Sequence, residues 1–280
     1  MMETYCATSI SEFFQRLETL NPQGPSDWPP LLFRGQIDER HHPLAALFRP
    51  GKFRRREGGT VVRERFDPSR HNRLENLAVR EIRTKGASYF AELMSVPARD
   101  DDLGWMTIAQ HFHMKTRLLD FSASPLVALR FATAEMGNRS ATIDADDPRA
   151  TSCFGEQKIC FLKEALDTAR KASAVFVAKP KKYAVGPMSL RCIRSHPQTF
   201  WYSPAHFLAR IRAQQSYFAV QPNAEAAIEC IAKIVIPATA ERQIKISLER
   251  MGFGYGGVYP GLEGVVKDVD WWMKWDGALE

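Results

Sequence analysis

The chain has 280 residues, 45% of them hydrophobic and 11% aromatic, with a net charge of +6. That apolar content supports one large packed domain or two modest ones and excludes a disordered chain. No stretch approaches the ~18 apolar residues a membrane span needs, and the N-terminus lacks a basic segment followed by an apolar run, so export and membrane insertion are disfavoured.

Cys6, Cys153, Cys160, Cys192 and Cys230 are scattered, with no CxxC pair and no zinc-ligand spacing. They imply reduced thiols in the cytoplasm and no metal centre. The positive charge suits a phosphate-bearing partner, either nucleic acid or a dinucleotide. Part of it gathers at Lys52, Arg54, Arg55, Arg56, Arg63 and Arg65. This 52–65 segment reads as a solvated loop or as a phosphate-contacting element.

Ser9-Ile10-Ser11-Glu12 has capping-box spacing, and Ile10, Phe13, Phe14, Leu17 and Leu20 then share one helical face, which predicts a docking helix. A Pro-rich lead-in ends at Pro30, so residues 1–30 precede a core expected over 31–270. Leu31-Leu32-Phe33-Arg34 predicts a strand that ends at Gly35, with Arg34 at the strand end. A helix over 71–90 is expected to turn Leu74, Leu77, Ala78 and Ile82 inward and to carry Glu75, Arg80 and Glu81 on its flanks.

Trp105, Ile108, Ala109 and Phe112 recur at helical spacing, so Gln110, His111 and His113 ride a short helix that breaks before Thr116. Ser124 and Pro125 mark the next helix start, with Leu126, Leu129 and Phe131 as its apolar surface. Residues 137–155 read as a surface loop. The β-prone runs 158–162, 174–178 and 190–193 predict strands of a mostly antiparallel sheet. Ser203-Pro204 predicts a helix leading to Phe207, Leu208 and Ile211; strands follow at 217–220 and 231–236, and a helix at 239–251 closed by Gly252. An amphipathic helix after Pro260 carries Leu262, Val265, Val266, Val269 and Met273. There is no internal repeat and no clear linker, so the chain reads as a single domain over 1–280.

Strongly specific motifs are absent: there is no phosphate loop, no GxGxxG after a strand, no HExxH, no GxSxG and no EF-hand loop. The Gly-rich run 252–257 lacks a following Lys-Ser/Thr and reads as a flexible connection. Polar residues instead concentrate in Phe33-Arg34-Gly35-Gln36, and in Gln110-His111 followed by Thr116-Arg117-Leu118-Leu119-Asp120-Phe121-Ser122. With Trp105, Ser124-Pro125 and the Ala128 to Ala132 run, these spans resemble the FRG domain, named for its Phe-Arg-Gly tripeptide. Arg212-Ala213-Gln214-Gln215 with Phe218, and Tyr259-Pro260-Gly261-Leu262-Glu263-Gly264, fit the same resemblance. His113-Met114-Lys115 stands where that family usually has Gly-Leu-Pro, and Ser216 where it has Gly.

The order of an early strand-end Arg, a middle Ser-containing segment and a late Glu is also similar to ADP-ribosyltransferases. That similarity implies an α+β fold with a mostly antiparallel, split sheet and additional helices, and NAD as substrate. It implies Glu263, Arg34 and His111 as catalytic residues, and Arg34, Gly35, Gln36, Gln110, His111, Thr116, Arg117, Asp120 and Ser122 around NAD. A carboxylate would stabilise the ribosyl cation, and a guanidinium would hold a phosphate or ribose. The family setting implied is an intracellular toxin or phage-defence factor acting on an acceptor that the sequence does not name.

The residues themselves leave other readings open. Arg34 pairs well with Asp120, Glu263 in a first helical turn complements the helix dipole, and His111 suits a packed core position. Arg117 and Asp120 have the spacing of a supporting ion pair. A nucleic-acid module would use residues 52–65 with Arg210, Arg212 and Lys245 on phosphates, and His111, His113 and Asp120 for metal-independent cleavage. A non-catalytic interaction domain would use the six Trp residues as anchors.

Overall fold

The computed structural model describes residues 2–21, 30–49, 54–55, 61–62, 67–86, 89, 95–134, 172–181, 183–184 and 186–275. The chain opens with β1 (Glu3–Cys6), α1 (Ile10–Leu20), β2 (Leu32–Gln36), β3 (Arg54–Arg55), β4 (Val61–Val62), α2 (Pro68–Lys85), α3 (Asp102–His111), β5 (Leu118–Ser122) and α4 (Pro125–Ala132). It continues with β6 (Ser173–Ala178), β7 (Tyr183–Ala184), α5 (Leu190–Ser195), β8 (Phe200–Tyr202), α6 (Ala209–Ala213), β9 (Ser216–Val220), β10 (Ala232–Ile236), α7 (Ala238–Arg250), α8 (Tyr255–Val258) and α9 (Leu262–Trp275).

The fold is mixed α+β, built on one open eight-stranded sheet of order β1-β10-β6-β2-β5-β9-β8-β7. The sheet is mostly antiparallel, as expected, but it is mixed: at its two edges β1 runs parallel to β10 and β7 parallel to β8. The centre is antiparallel but thin at one seam. β2 pairs with β6 from Leu32↔Ala178 to Gln36↔Ala174, whereas it meets β5 only at Phe33↔Ser122.

Paired residues point to the same side of a sheet, and side chains alternate along a strand. Phe33, Gly35, Leu118, Asp120, Ser122, Phe218 and Val220 therefore share one side. Two helical layers cover that side. One packs Phe13, Leu17, Leu129, Ile244 and Leu248 of α1, α4 and α7 over Phe33, Val175 and Ile234. The other packs Trp105, Ile108, Ile193 and Ile211 of α3, α5 and α6 over Leu118, Phe218 and Val220. The opposite side buries Leu32, Leu119, Phe121, Ala178 and Ala219. The seam between β2 and β5 lies between the two layers, and there the floor residues Asp120 and Ser122 are polar.

Local sequence accounts for the helix ends. Ser9 caps α1 by accepting from Glu12 N at 3.2 Å, while Glu12 reaches back to Thr8 N at 2.8 Å. Ser124 caps α4 by accepting from Val127 N at 3.3 Å, with Pro125 in the first turn. Gly252, at φ 79°, closes α7 in a left-handed turn in which Phe253 N donates to Leu248 O at 2.8 Å.

Several expectations are overturned. The 190–193 run is helical, because the Ser189 hydroxyl accepts from Cys192 N and nucleates α5. Ser203-Pro204 starts no helix; α6 begins at Ala209, behind an extended Leu208. On α2 the buried side chains are Glu75 and Val79, while Leu74 and Leu77 are exposed. The apolar residues of α9 also face outward, with Leu262 78% exposed. The 252–257 run is no loose connection, since the Asp268 carboxylate accepts from Tyr255 N at 2.6 Å and Gly256 N at 2.8 Å. Of residues 52–65, only 54–55 and 61–62 are described, and they pair antiparallel. The stretches expected at 137–155 and 158–162 lie outside the described residues. Among the described residues no helix is long and apolar enough to cross a membrane.

Candidate functional site

A cleft of about 280 Å³ opens over the β2–β5–β9 floor between the two helical layers. Asp120, Ser122 and Phe218 form the floor with Phe33 and Gly35. Gln110 and His111 come from the end of α3 and His113 from the turn after it, Phe131 from α4, Arg210 from α6 and Gln214 from its C-cap. The cleft joins aromatic walls to a larger number of polar and charged side chains, so it offers both stacking surface and hydrogen-bonding groups to a small molecule.

Both sequence clusters converge on Asp120. Gln110 Nε2 donates to the Asp120 carboxylate at 2.8 Å. The buried Thr116 hydroxyl donates to Gln110 Oε1, which fixes the amide so that its NH₂ faces Asp120. From β2, Arg34 Nη1 donates to the Asp120 main-chain carbonyl at 2.6 Å, close to where the ladder between β2 and β5 stops. Arg34 Nε turns to Gln36 Oε1 at 3.4 Å. Burial lowers the Arg34 guanidinium to about 10 against the opposing pull of Asp120, so it remains a cation at neutral pH. Arg34 thus extends the thin seam through a carbonyl and not through the Asp120 carboxylate. The residue at mid-sheet that should be buried is an exposed carboxylate held at its side chain and its backbone.

Gly35 has a packing reason. A Cβ there would overlap the Ala128 carbonyl oxygen and approach Ala132 N to 2.5 Å, so only glycine lets α4 lie directly on β2. Ser122 is likewise committed: its hydroxyl donates to Gln214 O at 2.7 Å and accepts from Ser124 N at 2.9 Å. It ties the cleft floor to the end of α6 and the start of α4.

His111 is half-buried on the cleft wall, edge-on to Phe112 at 5.0 Å. Burial lowers its proton affinity, Arg210 and His113 lower it further, and Glu263 opposes them. The imidazole is therefore neutral at pH 7. His113 sits at φ 66°, in a left-handed turn after α3 in which Met114 N donates to Ala109 O at 3.0 Å and His113 N to Gln110 O at 2.9 Å. This is a position where glycine is favoured, so a histidine there strains the backbone.

Four predicted site residues do not line the cleft. Gln36 lies beyond Arg34 and donates to the His41 carbonyl. Thr116 is buried behind Gln110. The expected Arg117–Asp120 ion pair is absent: Arg117 is fully buried and forks onto Glu75, with Nε to Oε1 at 2.7 Å and Nη2 to Oε2 at 2.5 Å, and Nη1 reaches Pro222 O at 2.6 Å. Alternation along β5 puts position 117 on the other side from Asp120. Glu263 stands at the rim, with its side chain 58% exposed and paired with Lys267 at 2.7 Å. Lys267 first, then Arg210 and His113, hold its carboxyl below the usual range.

The cleft adds Phe131, Gln214 and Phe218, and it gives Arg210 a place. Gln214 Nε2 donates to Val258 O at 3.0 Å, joining α6 to α8. The signal was there in part, because Arg210, Ile211 and Gln214 share one helical side. The phosphate-tracking role read for Lys245 is overturned: it is 1% exposed and lies 4.8 Å from the Trp271 ring and 5.3 Å from the Tyr255 ring, with burial lowering it to about 7. Trp105 is buried too, its indole donating to Ala98 O at 3.0 Å, so it anchors the chain before α3 and is no partner contact. Among the described residues no group of three His, Cys, Asp or Glu side chains could hold a metal ion.

Residues 29–141 match the FRG domain family model, which covers β2, α3, β5 and the whole Asp120 clamp. The later stretches 212–218 and 259–264 lie outside the matched residues. No curated protein and no solved structure matches the chain.

Proposed function

We propose that the cleft built on this FRG domain binds NAD and breaks its N-glycosidic bond, transferring ADP-ribose to an acceptor or to water. The single observation that carries the reading is Asp120, an exposed carboxylate at the centre of a sheet, oriented by Gln110 and set beside aromatic walls and a neutral imidazole. Phe33, Phe131 and Phe218 offer apolar surface for a planar nicotinamide ring. Nicotinamide leaves with the electron pair of the C1′–N bond, and positive charge develops on the ribose. Asp120 accepts a hydrogen bond from the ribose 2′-hydroxyl, and that bond strengthens as the charge grows. Water or an acceptor group adds to C1′ and passes its proton to neutral His111.

Arg34 acts in this scheme as a positioning residue, holding the Asp120 backbone while Gln110 holds the side chain. Glu263 is the carboxylate of the rim and acts on His111 through charge. Consumption of NAD, or modification of an acceptor, is the kind of damage that a toxin or defence factor of the cytoplasm inflicts.

The test is nicotinamide release from NAD by the purified chain, with calorimetric NAD binding alongside. Release that Asp120→Asn abolishes supports the reading. Salt-dependent binding of an RNA or DNA oligonucleotide, with neither NAD binding nor release, overturns it in favour of a nucleic-acid module.

A further inference from the structure

At the mouth of the cleft, the Arg210 guanidinium carbon lies 4.4 Å from the centre of the Tyr259 ring, and Lys267 Nζ lies 4.1 Å from the same centre. Tyr259 meets Phe131 of the cleft wall edge-on at 6.1 Å. One aromatic ring thus holds two cations beside an opening whose lining includes Arg210 and His113. The local acid is Glu263, whose carboxylate is occupied by Lys267. Arg210 makes no salt bridge within 4.0 Å among the described residues; it faces the ring and the cleft, and acts on Glu263 and His111 only through charge.

From this geometry we infer that Arg210, oriented by Tyr259 and supported by Lys267, is a diphosphate-binding subsite at the cleft mouth. The inference rests on the NAD reading for its substrate and adds which group holds the phosphates. Two further observations lead there. The expected phosphate ligand, Arg34, has spent Nη1 on the Asp120 carbonyl and Nε on Gln36. The cleft, at about 280 Å³, is at the small end for a ligand pocket and takes one ring-and-ribose unit, so the rest of a dinucleotide must cross the mouth. A guanidinium held against a ring face by its central carbon leaves N–H donors available to bind phosphate oxygens in pairs.

Calorimetry with ADP, adenosine and inorganic pyrophosphate tests the subsite on wild type, Arg210→Ala, Arg210→Lys and Tyr259→Leu. Wild type should bind ADP more tightly than adenosine. Arg210→Ala should weaken ADP by roughly tenfold to a hundredfold and leave adenosine unchanged. Arg210→Lys should restore part of the loss, and Tyr259→Leu should weaken ADP without touching adenosine. Equal affinity of wild type for ADP and adenosine would overturn the subsite, as would an Arg210→Ala variant that loses both ligands alike. Pyrophosphate that binds as tightly as ADP and with the same dependence on Arg210 supports the subsite and shows that the phosphates suffice. If ADP binds through Arg210 but NAD is never cleaved, the subsite stands and the glycosidic chemistry falls. If NAD is cleaved and Arg210→Ala leaves KM unchanged, the chemistry stands and the subsite falls.

Discussion

Gln110 Nε2 donates to the Asp120 carboxylate at 2.8 Å, and the Thr116 hydroxyl locks the orientation of the same amide. A neutral donor there holds the carboxylate without adding charge. Gln110→Glu keeps the shape but brings a like charge against Asp120, which raises the proton affinity of the pair. Turnover in that variant should fall more than in Gln110→Ala, and the acid limb of kcat should move to higher pH. A merely structural Gln110 would give Glu and Ala variants the same pH profile.

Arg117 and Glu75 form a buried ion pair, with Arg194 adding a second contact to Glu75 at 2.8 Å. Removing Glu75 strands a fully buried guanidinium. Glu75→Ala should therefore cost ~3–5 kcal/mol of stability, read as a lower Tm or denaturation midpoint. A small loss, within ~1 kcal/mol, would mean that the pair is not what holds α2 to β5.

Gly35 and His113 make opposite predictions. Gly35→Ala drives a methyl into the Ala128 carbonyl and should destabilise by ~1–3 kcal/mol or more, with activity lost through the fold. His113→Gly relieves a left-handed residue and should stabilise by ~1 kcal/mol. Thermal melts of the two variants check both signs.

These two residues also mark how far the sequence could be read. Leu31-Leu32-Phe33 is legible as a strand from its apolar run, but the strand does not end at Gly35 as expected: it continues to Gln36, which leaves Arg34 at its middle, and the need for glycine comes from α4 crossing it, a contact between segments far apart in the chain. Gln110 and Asp120 are legible as polar residues in unusual density, and the helix around Gln110 follows from spacing, whereas the strand that carries Asp120 does not show in the sequence pattern. The pairing of Arg117 is not legible, because its partner, Glu75, looks like a flank residue on α2 until tertiary packing sets the helix's rotation. The same rotation exposes Leu74 and Leu77. Arg210 is legible only as a cation on one helical side, since the ring it lies against, Tyr259, packs beside it only in the fold.

The pH dependence follows from His111. Its proton affinity lies below the ordinary 6.5, burial being the first cause and Arg210 the second. The acid limb of kcat/KM should therefore lie below pH 6.5, with activity lost as pH falls and the imidazole takes up a proton. Arg210→Ala removes a repelling cation, so the limb should move to higher pH. Glu263→Gln removes an attracting anion, so the limb should move lower. Shifts in the opposite directions would exclude His111 as the base.

In the proposed reaction the carboxylate that meets the ribosyl cation is Asp120 of the floor and not Glu263 of the rim. Asp120→Asn keeps the main-chain carbonyl that Arg34 holds and still offers an oxygen to Gln110, so the fold and NAD affinity should be little changed. What it loses is the charge that acts in the transition state. The direct measurement is nicotinamide release beside calorimetric NAD binding for wild type, Asp120→Asn and Glu263→Gln. The prediction is NAD binding in all three, turnover reduced about a hundredfold or more in Asp120→Asn, and turnover near wild type in Glu263→Gln at the pH optimum. Wild-type turnover in Asp120→Asn, or a loss confined to Glu263→Gln, would contradict it and move the chemistry to the rim.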